Sequence, residues 1–198
     1  MNRIEAMKII VNALPEFPIV ANCGATSREL AAIRYSHQHL YILDSMGLAS
    51  SVGLGLALAL ADTTVERVVV LEGDGALLMN FNSLASIAYH RPDKLLLIVL
   101  DNAAYASTGG QPTYTHRLDL AAMAEAAGLK TLTATTAAAL KACLDEQASL
   151  NEPIFLHVKI EPGNSPDIPL LLEDPAVIAH NFSQWLAKEM EMPRDNSI

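Results

Sequence analysis

The chain alternates between two kinds of apolar pattern. Short, nearly continuous apolar runs occupy residues 17–21, 40–43, 66–72, 94–100 and 153–160, and a mixed, threonine-bearing segment at 130–134 also reads as a strand. Between them lie longer stretches in which apolar residues recur every three or four positions, as in Ile4, Met7, Ile10, Val11 and Leu14. Continuous runs rich in Val, Ile and Leu read as strands buried on both faces, and the three-to-four spacing reads as amphipathic helix. Helices are expected over 3–14, 26–34, 51–61, 77–90, 118–127, 137–150 and 175–190. Pro15 stops the first, Thr26 or Ser27 caps the second after a turn at Gly24, Gly128 ends the fifth, and Phe182 and Trp185 anchor the last. In the third, Gly53, Gly55, Ala57, Ala59 and Ala61 would let another backbone, such as a partner chain, approach closely. Strands alternating with helices predict an α/β fold, a parallel six-stranded sheet with helices on both faces, over residues 1–198 as one domain. There is no internal repeat and no linker.

Two strand ends carry the chemistry. The run at 66–72 stops at Gly73-Asp74-Gly75-Ala76, and the run at 94–100 stops at Asp101-Asn102. In parallel sheets, ligands sit beyond the carboxyl ends of strands. Glycines at 73 and 75 permit a tight turn and close backbone approach, and free N–H groups near Gly75 and Ala76 suit an anion. A hard cation such as Mg²⁺ wants oxygen ligands and is commonly shared with substrate phosphates. Asp74, the Asn102 amide oxygen, a backbone carbonyl just beyond, a water and two phosphate oxygens would complete its shell. After Asn102 comes a polar, glycine-rich loop, residues 103–113, of the kind that shapes active sites.

Composition narrows the function. Hydrophobic residues make up 51% and charged residues 18%, so the chain folds into a core. A net charge of −9 argues against non-specific nucleic-acid binding. The longest apolar stretch, 52–61, is too short and too glycine-punctuated to span a bilayer, so no membrane role is expected. Two cysteines, Cys23 and Cys143, make no disulfide framework, and no leader pattern opens the chain, which points to a cytoplasmic setting. Cys23 reads as a small packing residue. None of the six histidines belongs to a metal-spaced cluster, and a lone histidine is ordinarily structural.

Gly73-Asp74-Gly75, then 26 residues, then Asn102, with an apolar strand before each end, resembles the thiamin-diphosphate-binding signature. The resemblance implies thiamin diphosphate and Mg²⁺ as cofactors. It makes Asp74, Asn102 and the Ala104 carbonyl the metal ligands, and Gly73, Gly75, Ala76, Tyr105 and Ala106 cofactor contacts. Asp101 and Ala104 stand where the family often has Asn and Gly. In Asp44-Ser45-Met46-Gly47, Met46 corresponds to the apolar wedge that bends the cofactor, and the Asp44 carbonyl to the acceptor for its amine. Adding Ser27-Arg28-Glu29-Leu30 and Gly109-Gly110-Gln111-Pro112-Thr113 narrows the resemblance to the sulfopyruvate and phosphonopyruvate decarboxylases. These release CO₂ from a small anionic 2-oxo acid, and Thr108, Gln111 and His116 are substrate-site candidates. No catalytic side chain is expected on this chain. The motifs match only a diphosphate-binding domain, so the pyrimidine-binding domain and its activating glutamate are expected on an alpha subunit, in a hetero-oligomer whose beta chain this would be. Three other readings stay open: a phosphonopyruvate decarboxylase component, a non-catalytic thiamin diphosphate module, and a nucleotide-binding α/β domain whose Gly-Asp-Gly is only a turn.

Overall fold

The computed structural model describes residues 1–191. Its centre is the six-stranded parallel sheet that the sequence pattern predicts. The strands are β1 (Ile19–Ala21), β2 (His39–Tyr41), β3 (Val68–Gly73), β4 (Leu95–Asp101), β7 (Lys130–Ala134) and β8 (Ile154–Lys159), in the order β2-β1-β3-β4-β8-β7. A small antiparallel hairpin, β5 (Ala104–Tyr105) with β6 (Gln111–Pro112), stands apart from it.

Alternate residues of each strand feed different cores, as the period of two requires. Val69, Leu71, Leu96, Ile98, Leu132 and Leu156 meet α1 (Arg3–Ala13), α2 (Ala25–Ile33) and α7 (Ala137–Gln147) on one face. Val68, Val70, Leu95, Leu97, Val99 and Phe155 meet α3 (Ala49–Ala59), α4 (Asp74–Met79), α5 (Ser83–His90) and α6 (Leu120–Ala126) on the other. The last helix, α8 (Pro175–Glu191), joins the first core through Ile178 and buries Phe182 as well. The Phe182 and Trp185 rings lie 5.9 Å apart, centre to centre.

Two local expectations change. Gly24 itself precedes α2, with φ of +73°, and neither Thr26 nor Ser27 caps the helix. The Ser27 hydroxyl instead lies inside, within 3.1 Å of the Ala21, Asn22 and Ile42 carbonyls, tying β1 to the segment after β2. The helix expected over 77–90 begins at Asp74 and breaks at residues 80–82, because the Asn80 amide turns to donate to the Gly47 carbonyl at 2.8 Å and to Ser51 Oγ at 2.9 Å. Of the small residues of α3, Gly53 and Ala57 pack on the chain's own sheet, whereas Gly55 and Ala59 face outward. A Cβ at Gly53 would lie 2.1 Å from Val70 Cγ2, whereas one at Gly55 would meet nothing within 4 Å.

Opposite outcomes follow for two helical glycines. Gly53→Ala overpacks the β3 face and is expected to destabilise by about 1 kcal/mol, its better helix propensity offsetting part of the clash. Gly55→Ala is expected to stabilise by about 0.5–1 kcal/mol. Urea midpoints of the two variants check the signs.

Candidate active site

The strand order produces a crevice. From β1 the chain moves outward to β2, then returns past β1 to β3. Accordingly α2, leaving β1, and α4, leaving β3, pack on opposite faces, and the carboxyl ends of β1 and β3 are left open between them. One cleft fills that opening, walled by Asn22, Cys23, Ala25 and Thr26 after β1, by Gly73, Asp74, Gly75 and Ala76 after β3, and by Leu100 and Asn102 at the end of β4. Met46, Ala104, Tyr105, Ala106, Ser107 and Thr108 complete it.

Asp74 and Asn102 therefore meet. Strands β3 and β4 are direct neighbours, with Gly73 opposite Leu100, and the Asn102 backbone N–H donates to the Asp74 carboxylate. Asp74 is 2% exposed and is bonded by hydroxyls and backbone N–H groups rather than by a cation: Thr113 Oγ1 donates to its Oδ2 at 2.5 Å. Burial raises its pKa, against the Thr113 bond. Asp101, next along the chain, is answered differently. Burial by itself would raise its pKa, but His157 Nε2 at 2.7 Å and Lys159 Nζ at 2.5 Å reach its Oδ2 and hold it well below the ordinary carboxylate range. Thr115 Oγ1 bridges the two acids, 2.9 Å from Asp101 Oδ1 and 3.4 Å from Asp74 Oδ2. Asp101 Oδ1 also accepts the Ala103 N–H, and Asn102 Oδ1 the Ala104 N–H, which sets the turn into the loop; Ala103 takes a left-handed φ of +57° there.

Two glycines of the site are required by close packing within the chain itself. A Cβ at Gly75 would fall 2.4 Å from the Tyr105 ring. Gly47, at φ of +89°, carries the chain past the Ala76 carbonyl. Asn80, holding the Gly47 carbonyl, thereby positions the Met46 turn. Among the described residues no group of three or more His, Cys, Asp or Glu forms a metal cluster. The oxygen set is thus one carboxylate, one amide and backbone carbonyls, which suits a hard cation that shares its shell with phosphate oxygens. Asn22 Oδ1 is buried beside this set without a hydrogen-bond partner, an acceptor directed by elimination to whatever the cleft holds.

Of the residues singled out in the sequence, Met46, Gly73, Asp74, Gly75, Ala76, Asn102, Ala104, Tyr105, Ala106 and Thr108 share this cleft. Asp44 lines an adjoining groove instead, and Ser45 and Gly47 form the turn behind Met46. Gln111 folds back on Thr108 and Gly109 at 3.1 and 3.0 Å, outside the cleft. His116 lines grooves beyond Thr113, away from the cleft. The Ala104 carbonyl accepts the Ala106 N–H at 3.0 Å and retains a second lone pair. Cys23 is a cleft residue rather than a packing one, and burial, then the Glu72 and Asp44 charges, push its thiol up, which makes it a poor nucleophile. Asn22 and Ala25 carry no signal in the sequence, and Cys23 and Thr26 read there as a packing residue and a helix cap; the strand order is what brings all four to the cleft.

The model of the thiamine pyrophosphate enzyme C-terminal TPP-binding domain matches residues 23–158. The chain belongs to the thiamine pyrophosphate enzymes. It is 41% identical over 182 residues to sulfopyruvate decarboxylase subunit beta of Methanothermobacter thermautotrophicus, covering 92% of this chain and 94% of that one. It is 37% identical to the phosphonopyruvate decarboxylase of Streptomyces viridochromogenes, covering 93% of this chain but 46% of that one, so it spans about half of that relative. Benzoylformate decarboxylase from Polynucleobacter necessarius superimposes with a TM-score of 0.72 at 19% identity, over 84% of this chain and 34% of that one, which establishes the shared fold. The family and these relatives make it an enzyme chain of the decarboxylase class. No helix among the described residues is long and apolar enough to cross a membrane.

Glu72 gives this thiamine pyrophosphate enzyme a pH signature. It is fully buried, and burial pushes it up to about 7 despite donors from Ser50 Oγ at 2.9 Å, Ser50 N–H at 3.1 Å and Gly73 N–H at 3.2 Å. In the unfolded chain the same acid titrates near 4.5. The folded state keeps this proton after the unfolded state has lost it, so the contribution to stability is complete below that value and is lost as pH rises toward 7. Urea unfolding from pH 4.5 to 7 should show Glu72→Gln closing this gap, with the variant gaining on the wild type as pH rises. If Asp74 holds a cation, Thr113→Val should weaken metal-dependent cofactor binding by roughly 10-fold, as loss of an outer-shell partner does, measured by titration calorimetry.

Proposed function

We propose that this chain is the diphosphate-binding beta subunit of a thiamin-diphosphate- and Mg²⁺-dependent 2-oxo acid decarboxylase that converts sulfopyruvate to sulfoacetaldehyde and CO₂. The observation that carries the reading is the meeting of Asp74 and Asn102 at adjacent strand ends, in a cleft with glycine-lined walls and an orphaned acceptor, Asn22 Oδ1. Asp74, Asn102 and the Ala104 carbonyl would hold Mg²⁺. Backbone N–H groups around Gly75 and Ala76 would face the diphosphate, and Met46 would support the rings. Tyr105, packed over Gly75, shields that end from water. Bound thiamin diphosphate supplies the electron sink that loss of CO₂ requires.

The chain itself orients, neutralises and excludes. Thr113 and Thr115 gather on Oδ2 of Asp74, so that Oδ1 would be the oxygen to meet the cation. The His157 and Lys159 contacts keep Asp101 ionised, so its charge is already answered before a metal arrives. The reading needs a companion alpha chain that brings the pyrimidine-binding domain and an activating glutamate, in a cytoplasmic hetero-oligomer. Support comes from the name of a relative: the protein matched over 94% of its length at 41% identity is itself a sulfopyruvate decarboxylase subunit beta.

Asp74→Ala should reduce Mg²⁺-dependent thiamin diphosphate affinity by more than the roughly 100-fold upper end seen for outer-shell losses; unchanged affinity by calorimetry would remove the site. In an assay of CO₂ release from sulfopyruvate, this chain by itself should be inactive and its mixture with the companion chain active. Turnover by the isolated chain would refute the shared-site reading.

A further inference from the structure

Beside the cofactor cleft runs a second groove, and the two share Ala25 and Ser107 in their walls. Its remaining polar walls are Gly24, Ser27, Arg28, Asp44 and Asn164, and the leucines at 170–172 close one side. Most of these groups are committed elsewhere. Ser27 is bonded to three carbonyls, and Asn164 joins Arg3 Nη2 at 2.9 Å to the Ala106 carbonyl at 2.8 Å.

Arg28 is not committed in this way. It is partly buried one turn into α2, and its Nε is buried with no hydrogen-bond partner. The other buried or partly buried arginines among the described residues are answered: Arg3 by Glu29 at 2.8 Å, Arg34 by the Pro15 carbonyl at 2.9 Å, and Arg67 by the carbonyls of Asp93, Gln147 and Leu150. Asp44 shares the groove with Arg28, yet no ion pair joins them. The position is also the wrong end of a helix for a cation, since the macrodipole favours negative charge there. A guanidinium held half out of water, without a counter-charge and against a dipole, is disfavoured unless an anion completes it. Its planar fork matches two oxygens of a carboxylate, sulfonate or phosphonate. The Ser107 hydroxyl, brought within 3.1 Å of the site a Gly24 Cβ would occupy, borders the same space.

We propose that Arg28 is the specificity-determining residue that grips the anionic tail of the substrate, a sulfonate or phosphonate on the carbon next to the keto group. The proposal rests on the decarboxylase reading: the reacting carbon belongs in the cofactor cleft, and the tail, one carbon away, extends past Ala25 and Ser107 into the groove. The bidentate fork anchors the tail oxygens and makes the charged tail a condition of tight binding.

The test uses the holoenzyme, this chain with its companion, assayed on sulfopyruvate, phosphonopyruvate and pyruvate, whose tail is uncharged. Arg28→Met should lower kcat/KM for the two charged-tail acids by about 30-fold, mainly through KM, and leave pyruvate unchanged, as loss of a charge-assisted hydrogen-bond pair predicts. Arg28→Lys should recover part of the loss, since it restores charge without the fork. An equal loss on all three substrates, or none on any, overturns the proposal. Calorimetry with 3-sulfopropionate, which lacks the keto group, separates the two readings. If the wild-type holoenzyme turns over no 2-oxo acid, the decarboxylase reading fails; binding of 3-sulfopropionate that Arg28→Met abolishes then still sustains the anion site, and binding that is absent or unaffected removes it.

Discussion

Two carboxylates are buried next to each other at the ends of neighbouring strands, and the site is organised by the unequal way their charges are met. Asp101 has a histidine, a lysine and a hydroxyl around it. Asp74 has hydroxyls and N–H groups but no cation. A buried carboxylate without a counter-ion is costly in a low-dielectric interior. The sheet therefore supplies one acid that is finished and one that a metal would finish. The threonine pair at 113 and 115 joins them, so the loop that covers the cleft is fastened to the same two acids.

The topology makes that arrangement possible. Because α2 and α4 leave β1 and β3 for opposite faces, the crevice between those strands lies open without any cavity being carved from the core. Elements remote in sequence then stabilise its rim. Asn80 breaks a helix to hold the turn behind Met46, and the Arg3–Glu29 pair, buried on both sides, meets Asn164, which in turn holds the Ala106 carbonyl of the loop. These contacts cost helix continuity and desolvation, and they rigidify the cleft.

Much of this could be read from the amino-acid order. The five apolar runs are strands, as is the mixed edge segment 130–134; the central runs are the clearest because a segment buried on both faces has no polar side to disguise it. Asp74 and Asn102 were legible because each ends such a run. What escaped depends on neighbours in space. The first loop, 22–26, joins the cleft only through the order β2-β1-β3. The break at Asn80 is set by a carbonyl 33 residues earlier, a tertiary bond that overrides helix periodicity. An aspartate at 101, where an asparagine is common, is tolerated because β8 brings His157 and Lys159 beside it. Thr113 stands out in the sequence only as the end of the Gly109–Thr113 motif, and its bond to Asp74 depends on the fold of the loop.

The central claim is that one divalent cation sits between Asp74 and Asn102. Anomalous diffraction from crystals of the chain grown with Mn²⁺ and thiamin diphosphate tests it most directly. The account predicts a single strong peak within about 2.3 Å of an Asp74 carboxylate oxygen, the Asn102 amide oxygen and the Ala104 carbonyl. A peak elsewhere, or a cofactor bound with no metal between those residues, would contradict it.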